Sequence, residues 1–214
     1  MRRLSHLVFQ PASRLVRLIL GEKRLVVDPQ LAEDHHAHLP VFTDLDGTRC
    51  AGLWAILDHL EGGYPEIPLI PEESSERGEA LRWLDWTGTV LGEQATRKII
   101  NEKANPRFTG APSRSTPDMN VIRAGREMLH EAIPPLGKAV EKHGYLVNRA
   151  CSIADLALAA HLSALDYFGE VPWDDNAALR EWYMRMKSRP SFRSLLADRV
   201  PGQPPISYYA DLDF

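Results

Sequence analysis

The chain has 214 residues and a formal net charge of −4 at pH 7; 44% of its residues are hydrophobic and 25% are charged. This composition is typical of a globular protein with one large domain or two small ones. It excludes a basic nucleic-acid surface and a membrane span, because the basic residues are scattered and no long apolar run occurs. Cys50 and Cys151 lie far apart without a CxxC pattern, so we expect no disulfide framework and a cytoplasmic protein.

The first third of the chain alternates strand and helix patterns. Helical spacing of apolar residues predicts a helix over about 11–22, between strands at 4–9 and 24–28. A hairpin follows, with strands at 40–45 and 48–50 around the turn Asp46-Gly47, and then a helix over about 53–60 that stops at Gly62-Gly63. This order of elements predicts a thioredoxin-like domain over residues 1–64.

The remainder of the chain has a helical pattern. A proline-rich linker is predicted over 65–75, an all-helical domain over 76–200 and a tail over 201–214. A first helix is expected to end near Asn101 and a second to cover about 118–143. Pro134-Pro135 is expected to bend or break the second helix, because proline lacks the backbone donor.

A strong local signal in the helical part is Ser152-Ile153-Ala154-Asp155, which precedes an apolar run. This pattern predicts a capping box, in which Ser152 caps the helix and Asp155 reaches back to the amide of Ser152. We expect its role to be structural.

Several separate segments match one family. Phe9 to Lys23 resembles the first strand–loop–helix of glutathione transferases, and the Ser152–Asp155 box resembles that family's buried capping motif. The matching positions are Pro11, Arg14, Val16, Arg17, Leu20, Glu22, Lys23, Trp182, Arg189, Pro190 and Phe192. The resemblance covers nearly the whole chain to about residue 200. It implies an α/β plus all-α protein with the glutathione transferase fold, a thioredoxin-like domain followed by a helical bundle.

The same resemblance implies that the glutathione site is vestigial. Gln10 stands where bacterial members carry the Ser or Cys that meets the glutathione sulfur, although Ser13 is an alternative donor. Leu39-Pro40 matches the family's motif that binds the cysteine backbone of glutathione, with a proline that is usually cis. Gly52-Leu53 replaces the Glu/Gln-Ser pair that binds the γ-glutamyl carboxylate. We therefore expect weak or absent glutathione binding and no catalytic residue.

The histidine-rich stretch at residues 35–38 is a candidate metal site. His35, His36 and His38 have only Asp34 as a nearby acidic partner, which is short of a ligand set. We expect a solvated loop there, and no metal.

The C-terminal tail alternates aromatic and acidic residues, which is unusual for a disordered terminus. Two interpretations stay open. The tail either packs on the body of the protein or forms a short recognition peptide with apolar anchors and an acidic rim. The candidate partner-binding residues are Tyr208, Tyr209, Asp211, Leu212, Asp213 and Phe214.

The loop before the first helix and the chain terminus are similar to an alphaproteobacterial branch of the family. Members of that branch are dimers that bind the tubulin-like division protein FtsZ. The resemblance implies a non-catalytic homodimer at the division site that bundles or curves FtsZ filaments and links them to septal wall-synthesis proteins. The alternatives are an active glutathione transferase that uses Ser13 or a backbone amide, and a carrier of hydrophobic ligands in the cleft between domains.

Overall fold

The computed structural model describes residues 1–33, 38–113 and 116–213. Its strands are β1 (Arg2–His6), β2 (Val27–Leu31), β3 (Val41–Thr43) and β4 (Arg49–Ala51). They form one mixed sheet in the order β2-β1-β3-β4. β1 is parallel to β2 and antiparallel to β3, which pairs antiparallel with β4.

The first two strands overlap their predicted ranges but have different ends, for a physical reason. β1 ends at His6, before the predicted end, because the buried Phe9 donates its amide to the Phe108 carbonyl (3.0 Å) instead of to a strand. β2 begins later than predicted, because residues 24–26 close the turn after the first helix. In that turn the amide of Leu25 donates to the Leu20 carbonyl (2.9 Å).

Two helices flank the sheet, α1 (Pro11–Glu22) and α2 (Leu53–Gly63). The bounds of α1 agree with the predicted helix, and Pro11 stands in its first turn, where a missing donor costs nothing. α2 ends at Gly63, which confirms the prediction that this helix stops at Gly62-Gly63.

The rest of the described chain is helical. The helices are α3 (Ser74–Trp86), a π-helical stretch (Thr87–Thr96), α4 (Arg97–Lys103), α5 (Met119–His143), α6 (Ile153–Tyr167), α7 (Ala177–Lys187) and α8 (Arg193–Leu196). Short 3₁₀ turns occur at Pro106–Phe108, Trp173–Asp175 and Pro190–Phe192. Every residue of α6 is buried, so this helix forms the centre of the helical part.

The proline pair does not break α5, which continues over 25 residues. Pro134 and Pro135 lie on the exposed face of the helix. The two carbonyls that lose their donors, those of His130 and Glu131, belong to exposed residues as well, so water can hydrate them. The proline pair therefore does not break α5, and the predicted bend stays a prediction.

The capping box is present at the start of α6. The carboxylate of Asp155 accepts from the amide of Ser152 (3.0 Å) and from its hydroxyl (3.1 Å). It also accepts from the amide of Leu146 (2.9 Å) and from the indole nitrogen of Trp182 (3.0 Å). Asp155 is completely buried and joins the start of α6 to α7.

Ion pairs connect α1 to the end of the helical part. Arg189 holds Glu22 with two hydrogen bonds of 2.7 and 2.8 Å, and the Ser191 hydroxyl donates to the same carboxylate (2.6 Å). Arg14 and Arg17 both bind Asp198. These contacts fix the thioredoxin-like sheet and helices against the helical bundle.

His6 gives a prediction about stability and pH. It is 6% exposed, and its Nδ1 has no hydrogen-bond partner among the described residues. Burial lowers the pKa of His6 from 6.5 to about 4, and the charge of Arg17 acts in the same direction. The unfolded chain takes up a proton near pH 6.5 and the folded protein does not, so stability falls as the pH drops from 6.5 towards 4.

We therefore expect His6→Leu to stabilise the protein by about 1 kcal/mol at pH 7.5, because the unpaired nitrogen is removed. At pH 5 the advantage over wild type should grow by about 2 kcal/mol, since the proton-linked loss disappears. Urea unfolding at the two pH values measures both effects, with His38→Leu at an exposed position as the control. An advantage that does not change with pH would contradict the assignment.

Candidate functional site

At the position that corresponds to the family's thiol-binding Ser or Cys, the side chains of Gln10 and Ser13 are hydrogen-bonded to each other. Gln10 lies directly before α1, and the hydroxyl of Ser13 donates to its Oε1 (2.6 Å). The Ser13 oxygen accepts in turn from the amide of Leu7 (3.2 Å), and Ser13 is completely buried. The hydroxyl that would have to replace the missing Ser or Cys is thus engaged inside the protein.

The other two predicted glutathione positions are brought together by one backbone contact. Leu39-Pro40 is a cis peptide, and the Pro40 carbonyl accepts from the amide of Gly52 (2.8 Å). Gly52 has φ +82°, a conformation that favours glycine, and Leu53 is the first residue of α2. Neither Gly52 nor Leu53 offers a polar side chain, so these two positions can bind a carboxylate only through their backbone groups.

An open cleft lies between α1, the start of α2 and the helical bundle. Its volume is about 400 Å³, which is within the range of small-molecule sites. Among the described residues that line it, Arg97 is the only one with a full charge. The lining residues are Phe9, Gln10, Pro11, Ala12, Leu15, Leu53, Leu84, Thr87, Gly88, Gly92, Thr96, Arg97, Ile100, Asn101, Thr109, Gly110, Ala111, Pro112, Ala157 and His161.

His161 is a buried polar residue of this cleft, and the sequence pattern did not identify it as a site residue. Its Nδ1 shares a hydrogen bond with the Thr96 hydroxyl (3.0 Å). Burial and, to a smaller extent, the charge of Arg97 together lower the pKa of His161 to about 3, so the ring is neutral near pH 7. The signal that could have revealed this wall is the pair Gly88 and Gly92 within a helical pattern. A Cβ at Gly92 would come within 3.1 Å of His161 Cε1.

The structure of the tail corrects the prediction that Tyr209 is a partner-binding residue. Tyr209 is completely buried, and its hydroxyl accepts from Arg14 Nη2 (2.6 Å) and donates to the Leu195 carbonyl (3.1 Å). It is a core residue because its ring and its hydroxyl both find partners inside the protein, and it is not available to a partner. Tyr208 is half-buried, whereas Asp211, Leu212 and Asp213 are exposed. Phe214 lies outside the described residues.

The histidine stretch is only partly visible. His35, His36 and Asp34 lie outside the described residues, and His38 is exposed. In the part of the chain that the structure describes, no group of three His, Cys, Asp or Glu residues could hold a metal ion. Cys50 and Cys151 are both free thiols. None of the described helices has the length and apolarity needed to cross a membrane.

Comparison with known proteins decides the family. No family model matches the chain. FtsZ-localized protein A of Caulobacter vibrioides is 38% identical over 229 aligned positions, covering 100% of this chain and 98% of that protein. The chain belongs to the FzlA-type branch of the glutathione transferase superfamily.

Solved structures agree with this assignment. FzlA from C. crescentus superposes with a TM-score of 0.92 at 37% identity, covering 100% of this chain and 99% of that one. A glutathione S-transferase from Rhodospirillum rubrum F11 gives a TM-score of 0.93 at 34% identity, with complete coverage of both chains. The predicted glutathione transferase fold of this FzlA-type chain is therefore confirmed.

Proposed function

We propose that the chain is a non-catalytic, FtsZ-binding protein of cell division. Full-length similarity to FtsZ-localized protein A is the observation that carries this proposal. In the proposed role, the protein works in the cytoplasm at the division site, where it bundles or curves FtsZ filaments and links them to septal wall-synthesis proteins. We expect the protein to be a homodimer, because a dimer carries two equivalent FtsZ-binding surfaces and can therefore cross-link filaments.

The test of FtsZ binding is co-sedimentation with FtsZ polymers from the same organism. We expect the protein to pellet with polymers formed in the presence of GTP, and to stay in the supernatant with unpolymerised FtsZ. Light scattering should show a dimer at micromolar concentration. Absence of the protein from the polymer pellet would contradict the proposed function, and a monomer would remove the basis for cross-linking.

Two truncated chains distinguish a role of the tail in partner binding from a role in packing on the body of the protein. A chain that ends at Ala210 keeps the buried Tyr209 and loses the exposed residues 211–213 together with Phe214. We expect its thermal melt to stay close to that of wild type. If the end binds a partner, this chain should still fail in cell division. A chain that ends at Tyr208 should instead melt at a lower temperature, because it loses the contact of Tyr209 with Arg14.

The proposed lack of catalysis rests on the closed Gln10–Ser13 pair and on Leu53. We expect no turnover of a standard electrophile and a glutathione Kd above about 1 mM. Gln10→Ser combined with Leu53→Ser should tighten glutathione binding, because two hydrogen bonds become possible. Gly52 is kept in this variant, since its positive φ would strain a side chain. Turnover by wild type at ordinary enzymatic rates would instead make the chain an active glutathione transferase.

The cleft favours a second candidate function, a carrier of small hydrophobic molecules. A neutral dye such as Nile red is expected to bind wild type with increased fluorescence. Gly88→Leu should abolish this binding. Gly88 lines the cleft, and the space beside it is open, so a leucine side chain fits there without a clash and occupies the place of the dye. Gly62→Leu is the matched control, since Gly62 also lies in a helix with open space, away from the cleft. Equal dye binding by the two variants would count against a ligand site in the cleft.

A further inference from the structure

The segment Val200–Tyr209, which we name the strap, contacts the polypeptide that forms one wall of the cleft. The side chain of Gln203 donates to the Lys103 carbonyl (2.7 Å) and accepts from the amide of Asn105 (2.7 Å). A single glutamine thus makes a backbone-like bridge to the residues where α4 ends. The segment that follows, residues 105–112, is named the cleft loop.

The cleft loop reaches from this bridge to the start of α1. Asn105 begins the 3₁₀ turn Pro106–Phe108, and the amide of Gly110 donates to the Pro106 carbonyl (2.8 Å). The Phe108 carbonyl accepts from the amide of Phe9 (3.0 Å), directly before the Gln10 position. Residues 109–112 line the cleft. The position of this loop therefore determines how open the cleft is.

The strap is held to the body mainly at Tyr167 and Arg14. The Tyr167 hydroxyl donates to the Gln203 carbonyl (2.8 Å) and accepts from the amide of Val200 (3.2 Å). The Tyr167 ring contacts Tyr209 at 5.1 Å and Phe9 at 4.8 Å between ring centroids. Tyr209 closes the strap through its hydrogen bond with Arg14.

The strap is also the kind of segment that opens locally. It contains no helix or strand, and Pro201, Gly202, Pro204, Ile206 and Ser207 are all exposed. Segments with few buried contacts open at a small fraction of the global free energy of unfolding. Tyr209 is the strap residue that is completely buried, so its contacts hold the C-terminal end of the strap in place.

We propose that the strap controls the cleft, so that releasing Tyr209 frees Gln203 and lets the cleft loop move away from Phe9. A partner that binds the exposed residues 211–213 and draws them outward opens the cleft through this path. Because coupling between sites is reciprocal, a molecule bound against the cleft loop stabilises the strap. The strap itself does not depend on the proposed binding of FtsZ.

Amide hydrogen exchange on the full chain tests this coupling. The reporters are the amides of Phe9 and Gly110, which bond to the cleft loop and do not touch Gln203 or Tyr209. In Gln203→Ala we expect both amides to exchange about tenfold faster, as the loss of one or two hydrogen bonds implies. Gln30→Ala, at an exposed glutamine on β2, is the control and should leave them unchanged.

The decisive variant is Tyr209→Ala, because the contacts of the Tyr209 side chain are with Arg14, Leu195 and Tyr167 and not with the cleft loop. The expected result is the same acceleration at Phe9 and Gly110, with no change at the amide of Gly52, which donates to the Pro40 carbonyl. Tyr209→Phe removes only the hydroxyl and should give a smaller acceleration in the same amides if the alanine variant folds poorly. Faster exchange confined to the strap, or an equal acceleration throughout the protein, would overturn the proposal.

Discussion

Replacing Arg14 by methionine is expected to lower the free energy of unfolding by about 3–5 kcal/mol, the range for breaking a buried charge network. Arg14 is completely buried, and its guanidinium donates to Ser163 (2.9 Å), the Val8 carbonyl (3.0 Å), Asp198 (3.1 Å) and Tyr209 (2.6 Å). Methionine fills part of the volume and satisfies none of these acceptors. The loss should exceed that for most surface substitutions several-fold.

Urea unfolding measures this effect, with Arg193→Met as the control. Arg193 is exposed in α8, and its replacement should change stability by no more than about 0.5 kcal/mol. A double variant with Tyr209→Phe provides an internal check. Because the Arg14–Tyr209 hydrogen bond can be lost only once, the double variant should cost less than the sum of the single changes. A loss below about 1 kcal/mol for Arg14→Met would contradict the buried network.

Asp155→Ala is expected to cost about 3 kcal/mol or more, since an unpaired buried donor costs about 1–3 kcal/mol. The alanine leaves the amides of Leu146 and Ser152 and the indole of Trp182 without their acceptor. Ser152→Ala should cost only about 1 kcal/mol, the ordinary value for a helix cap. The sequence pattern treats the two residues as equal members of a capping box, whereas the structure makes Asp155 the larger contributor.

Thermal and urea unfolding of the two variants provide the measurement, with Asp155→Asn as a third variant. Asparagine keeps one acceptor oxygen and the shape of the side chain, so we expect an intermediate loss. Burial raises the pKa of Asp155, so the carboxylate pays a desolvation cost that asparagine avoids. Equal, small losses for Ser152→Ala and Asp155→Ala would show that the additional hydrogen bonds of Asp155 contribute little.

Much of the candidate site could be predicted from the sequence because it depends on local motifs. Gln10 before Pro11, the cis proline at Pro40 and the missing polar pair at Gly52-Leu53 are each visible in short stretches of sequence. The cis peptide at Leu39-Pro40 is confirmed, whereas no side-chain pattern reveals the positive φ of Gly52. The loss of the glutathione site stays a prediction. The domain boundaries near residues 64 and 76 stay a prediction.

The hydrogen-bond partners of Ser13 and His161 could not be predicted from local motifs. Ser13 looked like an alternative donor because it is close to Gln10 in sequence, but helix geometry turns its hydroxyl back onto Gln10 and the interior. His161 lies in an apolar helical pattern that is equally typical of a packed residue. Only its contact with Thr96, which is 65 residues away, places it in the cleft wall.

By itself, the sequence determined the type and order of the elements over residues 1–64, the helical character of the rest, the capping box and the family. These follow from backbone hydrogen bonding and side-chain periodicity over a few residues, and from motifs that are read in place. Only the tertiary structure decided the role of Tyr209. The sequence left open whether this residue packs on the body or anchors a partner, and the structure makes it a buried partner of Arg14. The two residues are 195 positions apart, and burial depends on which surfaces meet after the chain has folded.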